Sequence, residues 1–332
     1  MLYAGIDEAG YGPTLGPLCV SGAVLTTPGD PTGTPDLWAL LRGAVCRDIR
    51  SASSGRLAVD DSKRLKRAGS FDLASFRRSI EHLERGVLAF ASLAGAAPGT
   101  DEDLLVDLTR RAPASLEWYG AGALDLPIGG DAASLRLASG RLARVCEASG
   151  VRVRALRCVA MDERVFNTRL ERTGSKGGVS LAVVGAMLGR VWALLAEPGG
   201  EREGLAAVDR QGGRTRYLAG LQRRLRGAEV KVVEESGERS VYEATGSGPD
   251  GPRRLRVEFR VEGERAHLPV ALASMTAKLT RELLMRRFNA YWCGRISELK
   301  PTAGYATDAR RWLNDAAPFM TSEEKRTLVR RA

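Results

Sequence analysis

The stretch Gly5-Ile6-Asp7-Glu8-Ala9-Gly10-Tyr11-Gly12-Pro13 places two adjacent carboxylates at the end of a short apolar run, Leu2 to Ile6. A glycine-rich turn follows directly. An apolar run that ends in Asp7-Glu8 is a poor core element, but it suits the edge of a sheet, where acidic oxygens can hold a divalent cation. Gly10 and Gly12 leave room for a second backbone, or a sugar, to come close.

Such oxygens need a scaffold. Leu2 to Asp7 reads as a strand and Cys19 to Thr26 as a second, spaced for a hairpin, before a Pro/Gly/Asp loop at Thr27 to Thr34. Helices are predicted at Leu37 to Arg47, Asp72 to Glu84, Asp101 to Arg111 and Ala132 to Ala148, with a turn at Trp118-Tyr119-Gly120. Later helices are predicted at Val179 to Leu195, Leu218 to Leu225 and Leu268 to Trp292, and a short helical region follows Asp308. Strands are predicted at Gly86 to Ala94, Val151 to Ala160, Leu205 to Val208 (ending at Asp209), Glu229 to Glu234 and Arg254 to Val261. Ser236 to Gly251 reads as a polar, glycine-rich connection. This alternation argues an α/β fold with helices on both faces of a sheet.

At 332 residues, 44% hydrophobic and 27% charged, the composition is that of a soluble globular protein. The net charge of +10, carried mostly by arginine, is consistent with a polyanionic partner, although enrichment in Ala, Gly and Arg together is also a GC-rich bias. Five scattered cysteines without a C-x-x-C pair read as reduced thiols. Two distant histidines give a zinc site no support. The expected location is the cytoplasm, with no apolar run near the ~20 residues of a membrane span.

The chain resembles the type 2 ribonuclease H family (ribonucleases HII and HIII). The family opens with a G-I-D-E-A-G-R-G-P-like motif, matched by Gly5 to Pro13 except at Tyr11, and has a D-S-K element, matched by Asp61-Ser62-Lys63. Its third carboxylate ends a short apolar strand, as Asp209 does. Its A-A-S-x-x-A-K-x-T-R-D helix is similar to Leu272 to Glu282, which contains Ser274, Lys278 and Arg281. A fourth acidic residue precedes that serine, where Glu264 stands and Glu262 competes. A G-Y-P motif is similar to Gly304-Tyr305-Ala306. The blocks occur in family order and span nearly the whole chain.

The resemblance implies a ribonuclease H-like mixed central sheet flanked by helices, in one domain over 1–332, with insertions at about 97–150 and 236–252 and a helical region at about 293–332 packed beside the active-site groove. It implies a catalytic, metal-binding set of Asp7, Glu8, Asp209 and Glu264. Four such carboxylates repel one another unless a cation neutralises them, and Mg2+ or Mn2+ suits an all-oxygen site. Two ions about 3.5–4 Å apart, with Asp7 and one further carboxylate bridging them, can bind both the attacking water and the leaving oxygen of a phosphodiester. The implied reaction is cleavage at a ribonucleotide in an RNA–DNA hybrid or in ribonucleotide-containing duplex DNA, leaving 3′-hydroxyl and 5′-phosphate ends. Nucleic-acid contacts are expected from Gly10, Tyr11, Gly12, Ser62, Lys63, Ser274, Lys278 and Tyr305. Bland roles compete: Asp61 as a helix N-cap, Lys278 and Arg281 as a solvated basic face, Tyr305 as core. The loop Gly174-Ser175-Lys176-Gly177-Gly178 lacks P-loop spacing and reads as flexible. Tyr11 replaces a family Arg or Lys, which removes a phosphate contact. A nuclease for another structured nucleic acid and a non-catalytic hybrid-binding protein are the alternatives. A monomer is expected, and whether it works with a processivity clamp or alone is left open.

Overall fold

Alternation along the first strand sets the layering. In β1 (Leu2–Ala9), Leu2, Ala4 and Ile6 enter one hydrophobic core while Tyr3 enters another on the opposite face. The computed structural model describes residues 1–52, 54–69, 72–111, 116–120, 122–210 and 212–331. β1 belongs to a seven-stranded mixed sheet with β2 (Leu18–Thr26), β3 (Arg152–Met161), β4 (Glu203–Asp209), β5 (Glu229–Glu235), β6 (Arg239–Gly248) and β7 (Gly251–Arg260). The strand order is β3-β2-β1-β4-β7-β6-β5.

Strands β1, β4 and β7 run parallel to one another, and every other pairing is antiparallel. The carboxyl ends of the parallel trio therefore share one edge. In open α/β sheets that edge is where ligands bind. Asp7-Glu8 ends β1, Asp209 ends β4, and Glu264 lies just beyond β7, so topology alone delivers acidic residues to a common rim.

Helices α1 (Leu73–Leu93), α2 (Asp101–Thr109) and α3 (Ala132–Ala148) contribute to the core on the Tyr3 face; α4 (Glu163–Thr173), α5 (Lys176–Leu194) and α6 (Leu218–Arg224) contribute to the core on the Ile6 face. Helix α7 (Leu268–Arg295) lies across β1 and β2 on the Tyr3 face, and α8 (Ala306–Ala316) and α9 (Ser322–Leu328) follow. The segment 97–150 is tied to α7 by a fully buried bidentate pair, Arg287 to Asp101, at 2.9 and 3.0 Å.

Three predicted elements differ. Gly86 to Ala94 is the second half of helix α1, not a strand; Gly86 to Ala91 is buried without a break, and an unbroken apolar run carries no period to separate the two. Ser236 to Gly251 is not a connection: it holds strand β6, paired on both sides by β5 and β7. The helix predicted over Leu37 to Arg47 is a single turn, Leu37–Leu40, because Gly43 interrupts it and Val45–Cys46 pairs with Leu57–Ala58. Helix α5 is also long and apolar enough, by length and composition, to cross a membrane, contrary to expectation; here Val179, Val183, Val184, Leu188 and Trp192 pack into the core. The five cysteines are free thiols.

Candidate active site

Adjacent residues on a strand point to opposite faces, and this divides the Asp7-Glu8 pair. Asp7 turns to the α7 face, where Ser274 donates a hydrogen bond to it and the Glu8 backbone N–H donates to its Oδ1 at 2.6 Å. Glu8 turns to the α5 face, where the Ser180 hydroxyl donates to it at 2.9 Å. In the parallel pairing Ile6 opposes Val208, so Asp209 follows one step along on the Asp7 face. Asp209 accepts from the Gly263 N–H at 2.9 Å and shares a hydrogen bond with Glu264. Glu262, the competing residue, is exposed and paired with Arg265 at 2.7 Å.

Electrostatics bind Asp7, Asp209 and Glu264 into one group. Burial, then the nearby Asp209 charge, pushes the Asp7 carboxyl well above its usual range. Burial also raises Asp209, with Glu8 adding to it, and pushes Glu264 up to about 7. None of the three has a lysine or arginine within ion-pair distance among the described residues. The site thus gathers acidic groups that no lysine or arginine contacts directly among the described residues, Lys63 acting on Asp209 only from a distance. Its all-oxygen chemistry fits a hard divalent cation. Among the described residues, however, no three His, Cys, Asp or Glu side chains stand ready-made as a metal cage, and Glu8 is held by Ser180.

The D-S-K element lies against this group. Asp61 caps the single turn Ser62–Leu65, accepting from the Lys63 N–H at 2.9 Å, and its charge helps raise Glu264. Lys63 is exposed and lowers Asp209 through its charge. Ser62 and Ser274 are buried with their hydroxyls 3.0 Å apart, so they brace Asp7 from beneath and do not face solvent. Lys278 pairs with Glu282 at 2.8 Å, and both line a cleft of about 150 Å³ shared with half-exposed Tyr305.

The glycine turn is held from below by residues the sequence reading did not assign to it. Gly10 has φ +83°, and a Cβ there would lie 2.6 Å from the Arg281 side chain, whereas Gly12 has open space around it. Arg281 is buried under the turn and donates to the Ala303 carbonyl, so it does not belong to a phosphate-facing surface. The Gly304 carbonyl accepts from Thr14 and Leu15 N–H groups at 2.8 and 3.1 Å. Glu163 accepts from Gly16 N–H at 2.9 Å and from the Tyr119 hydroxyl at 2.8 Å. Arg330, also buried, donates to the carbonyls of Gly10 at 2.5 Å and Tyr11 at 2.8 Å. Its backbone N–H reaches the Thr14 carbonyl at 2.9 Å. Nothing in sequence spacing marks Arg330 among so many arginines.

Arg330→Ala is expected to destabilise the fold by about 2–3 kcal/mol, since charge-assisted hydrogen bonds to turn carbonyls are lost together. Arg330→Lys should recover only part, because a point charge cannot bridge two carbonyls as a guanidinium fork does. Urea denaturation of both variants checks this. An alanine variant as stable as the parent would show that the turn stands without its cation.

No known protein-family pattern matches the chain, and no curated protein matches it. Solved structures do. Ribonuclease H2 from Pyrococcus horikoshii OT3 is 15% identical over 100% of this chain and 93% of that one, with a TM-score of 0.44. The RNase HII in a PCNA:RNase HII complex from Archaeoglobus fulgidus is 16% identical over 99% and 94%, with a TM-score of 0.41. Bst-RNase HIII in complex with Mn2+ is 14% identical over 99% and 66%, with a TM-score of 0.40.

Proposed function

We propose that this chain is a metal-dependent endoribonuclease of the type 2 ribonuclease H kind, cutting the RNA strand of RNA–DNA hybrids or ribonucleotides embedded in duplex DNA. The observation that carries the reading is the meeting of Asp7, Asp209 and Glu264. They come from three separate parts of the chain, meet at one sheet edge beside a glycine turn, and repel one another, with no lysine or arginine in ion-pair contact among the described residues. A stable core gains nothing from such a group.

Asp7, Asp209 and Glu264 would hold Mg2+ or Mn2+, with Glu8 joining by releasing Ser180. The cations, when bound, supply Lewis acidity toward the phosphodiester and its attacking water. Ser274 and Ser62 fix the Asp7 carboxylate, Gly263 fixes Asp209, and Lys63 offers the exposed cation nearest to them. The backbone of Gly10 to Gly12, pinned by Arg330 and Arg281, gives a rigid and partly side-chain-free surface for a ribose.

The test is cleavage of a labelled DNA duplex containing one ribonucleotide, beside a full RNA–DNA hybrid, in Mg2+, in Mn2+ and in EDTA. Cutting that needs the cation, leaving 3′-hydroxyl ends, is the expected result. Cutting that persists in EDTA would sink the metal-dependent reading. Tight binding without cutting in either metal would favour the hybrid-binding alternative, which the diversion of Glu8 to Ser180 supports.

A further inference from the structure

The loop Gly174-Ser175-Lys176-Gly177-Gly178, set aside in the sequence, has a definite place: Ser175 caps helix α5, accepting from the Gly178 N–H at 3.1 Å. Between α5 and α6 runs an open groove of about 550 Å³. Arg172, Arg214, Arg223 and Arg224 line it, and no carboxylate does among the described residues. All four arginines are exposed, and none is ion-paired within 4 Å among the described residues. Other exposed arginines, among them Arg77, Arg136 and Arg144, are likewise without an ion pair among the described residues; what sets these four apart is that they line one groove without a carboxylate.

The groove lies on the α5 face of the sheet, the side to which Glu8 turns, and Asp7, Asp209 and Glu264 do not line it. Arg214 lies five positions after Asp209, at the same end of β4. Ser180, on α5 beside the lining residue Leu181, holds Glu8. A Cβ on Gly177 would lie 3.6 Å from the Tyr11 hydroxyl, so the glycine turn abuts the mouth of the groove. Four like charges held along one wall-to-wall channel repel one another, and a polyanion is the ligand class that relieves this.

We propose that this groove binds the sugar-phosphate backbone of a nucleic-acid strand leaving the carboxylate rim, with Arg172, Arg214, Arg223 and Arg224 contacting successive phosphodiesters. The proposal rests on the nucleic-acid reading above but not on catalysis. The groove sets affinity and its salt dependence, while the carboxylates act on the scissile bond. It also places positive charge beside the turn that carries Tyr11 instead of a cation.

The experiment compares the full chain with the triple variant Arg172→Gln/Arg214→Gln/Arg223→Gln, which spares Arg224, whose stem packs against Gly185. A control, Arg77→Gln/Arg136→Gln/Arg144→Gln, removes three exposed arginines from α1 and α3, on the other face of the sheet. Anisotropy of a labelled ribonucleotide-containing duplex is read in EDTA across a salt series, and cleavage is read separately in Mg2+. The triple variant should flatten the slope of log K against log salt by about 2–3 units, and the exposed single variant Arg223→Gln by about 1, with the control unchanged. KM should rise at least about tenfold in the triple variant, with kcat held within about threefold, because phosphate contacts away from the scissile bond act on binding.

A protein that cleaves but whose salt slope is the same in all three variants would overturn the groove and leave the nuclease reading intact. One that binds without cleaving, and loses binding only in the groove variants, would support the groove while the nuclease reading falls. Saturation of the groove by a mononucleotide, displacing duplex in competition, would overturn the polymer assignment in favour of a small phosphate-bearing ligand. Absence of any duplex binding would overturn both.

Discussion

Asp7→Asn is expected to reduce cleavage by about a thousandfold or more, the scale on which loss of one charged partner at a reacting centre acts, while making the protein more stable in the absence of divalent cations. The two effects share one cause. Burial, and then Asp209, raises the Asp7 carboxyl far above its usual value, so at neutral pH its ionisation in the folded state is opposed. The folded protein then binds more protons than the unfolded chain throughout the interval from about 3.8 up to the raised value, and stability falls as pH climbs through it. Asparagine keeps an oxygen for the Ser274 hydroxyl and the Glu8 N–H but removes the charge. In EDTA its thermal midpoint should exceed the parent's at pH 8, and the gap should close toward pH 4. Thermal melts over that range, beside the cleavage assay, separate a lost reaction from a lost fold. A variant that is both inactive and less stable at pH 8 would contradict the account of the site.

Gly5→Ala is expected to have the largest effect on folding. A Cβ at Gly5 would lie 2.0 Å from the Pro269 carbonyl carbon and 2.1 Å from the Val270 nitrogen. Both are backbone atoms at the start of α7, fixed by the Pro269 ring and by Tyr3, whose hydroxyl is 2.7 Å from His267 Nδ1. No rotamer change relieves such contacts, so β1 and α7 must separate, which moves Asp7 away from Ser274. The expected cost exceeds about 4 kcal/mol, in the range reserved for broken cores. Soluble yield and the urea midpoint measure it, with Gly12→Ala, which meets nothing within 4 Å, as the benign comparison. A Gly5→Ala protein with an unchanged midpoint would mean that α7 does not press on β1 at this point.

What was legible in the sequence was local. Asp7-Glu8 and Asp209 stand out because each breaks an apolar run at its end, and a strand that stops on acid has few structural uses. The parallel β1–β4–β7 arrangement that brings those ends together is set by the strand pairing and was not read from the runs themselves. Gly86 to Ala94 was not legible, since helix and buried strand both present an unbroken apolar run and only the packing of α1 against α3 and α7 decides. Nor was β6, whose Gly246 and Gly248 suggest a loop until its neighbours are seen to pair with it. Within the site, strand alternation already separates Asp7 from Glu8, but spacing could not tell that Ser180 would take up Glu8. Ser62 and Ser274 carry motif positions but lie beneath the surface, where a buried hydroxyl braces a carboxylate. Arg330 was invisible because its role depends on contacts across the whole chain.

Those contacts impose an order on biosynthesis. Arg330 lies 320 positions downstream of the Gly10 carbonyl it binds. At a synthesis rate of roughly 5–20 residues per second, the turn leaves the ribosome on the order of half a minute before its clamp. Asn167 waits as well, since its side chain ties to Val329 and Arg331. A nascent chain therefore carries the Gly10–Tyr11 turn with both carbonyls unclamped through most of its synthesis. The turn gains its clamp only once residue 330 has been made, so the last step in shaping it is one of the latest contacts the growing chain can form.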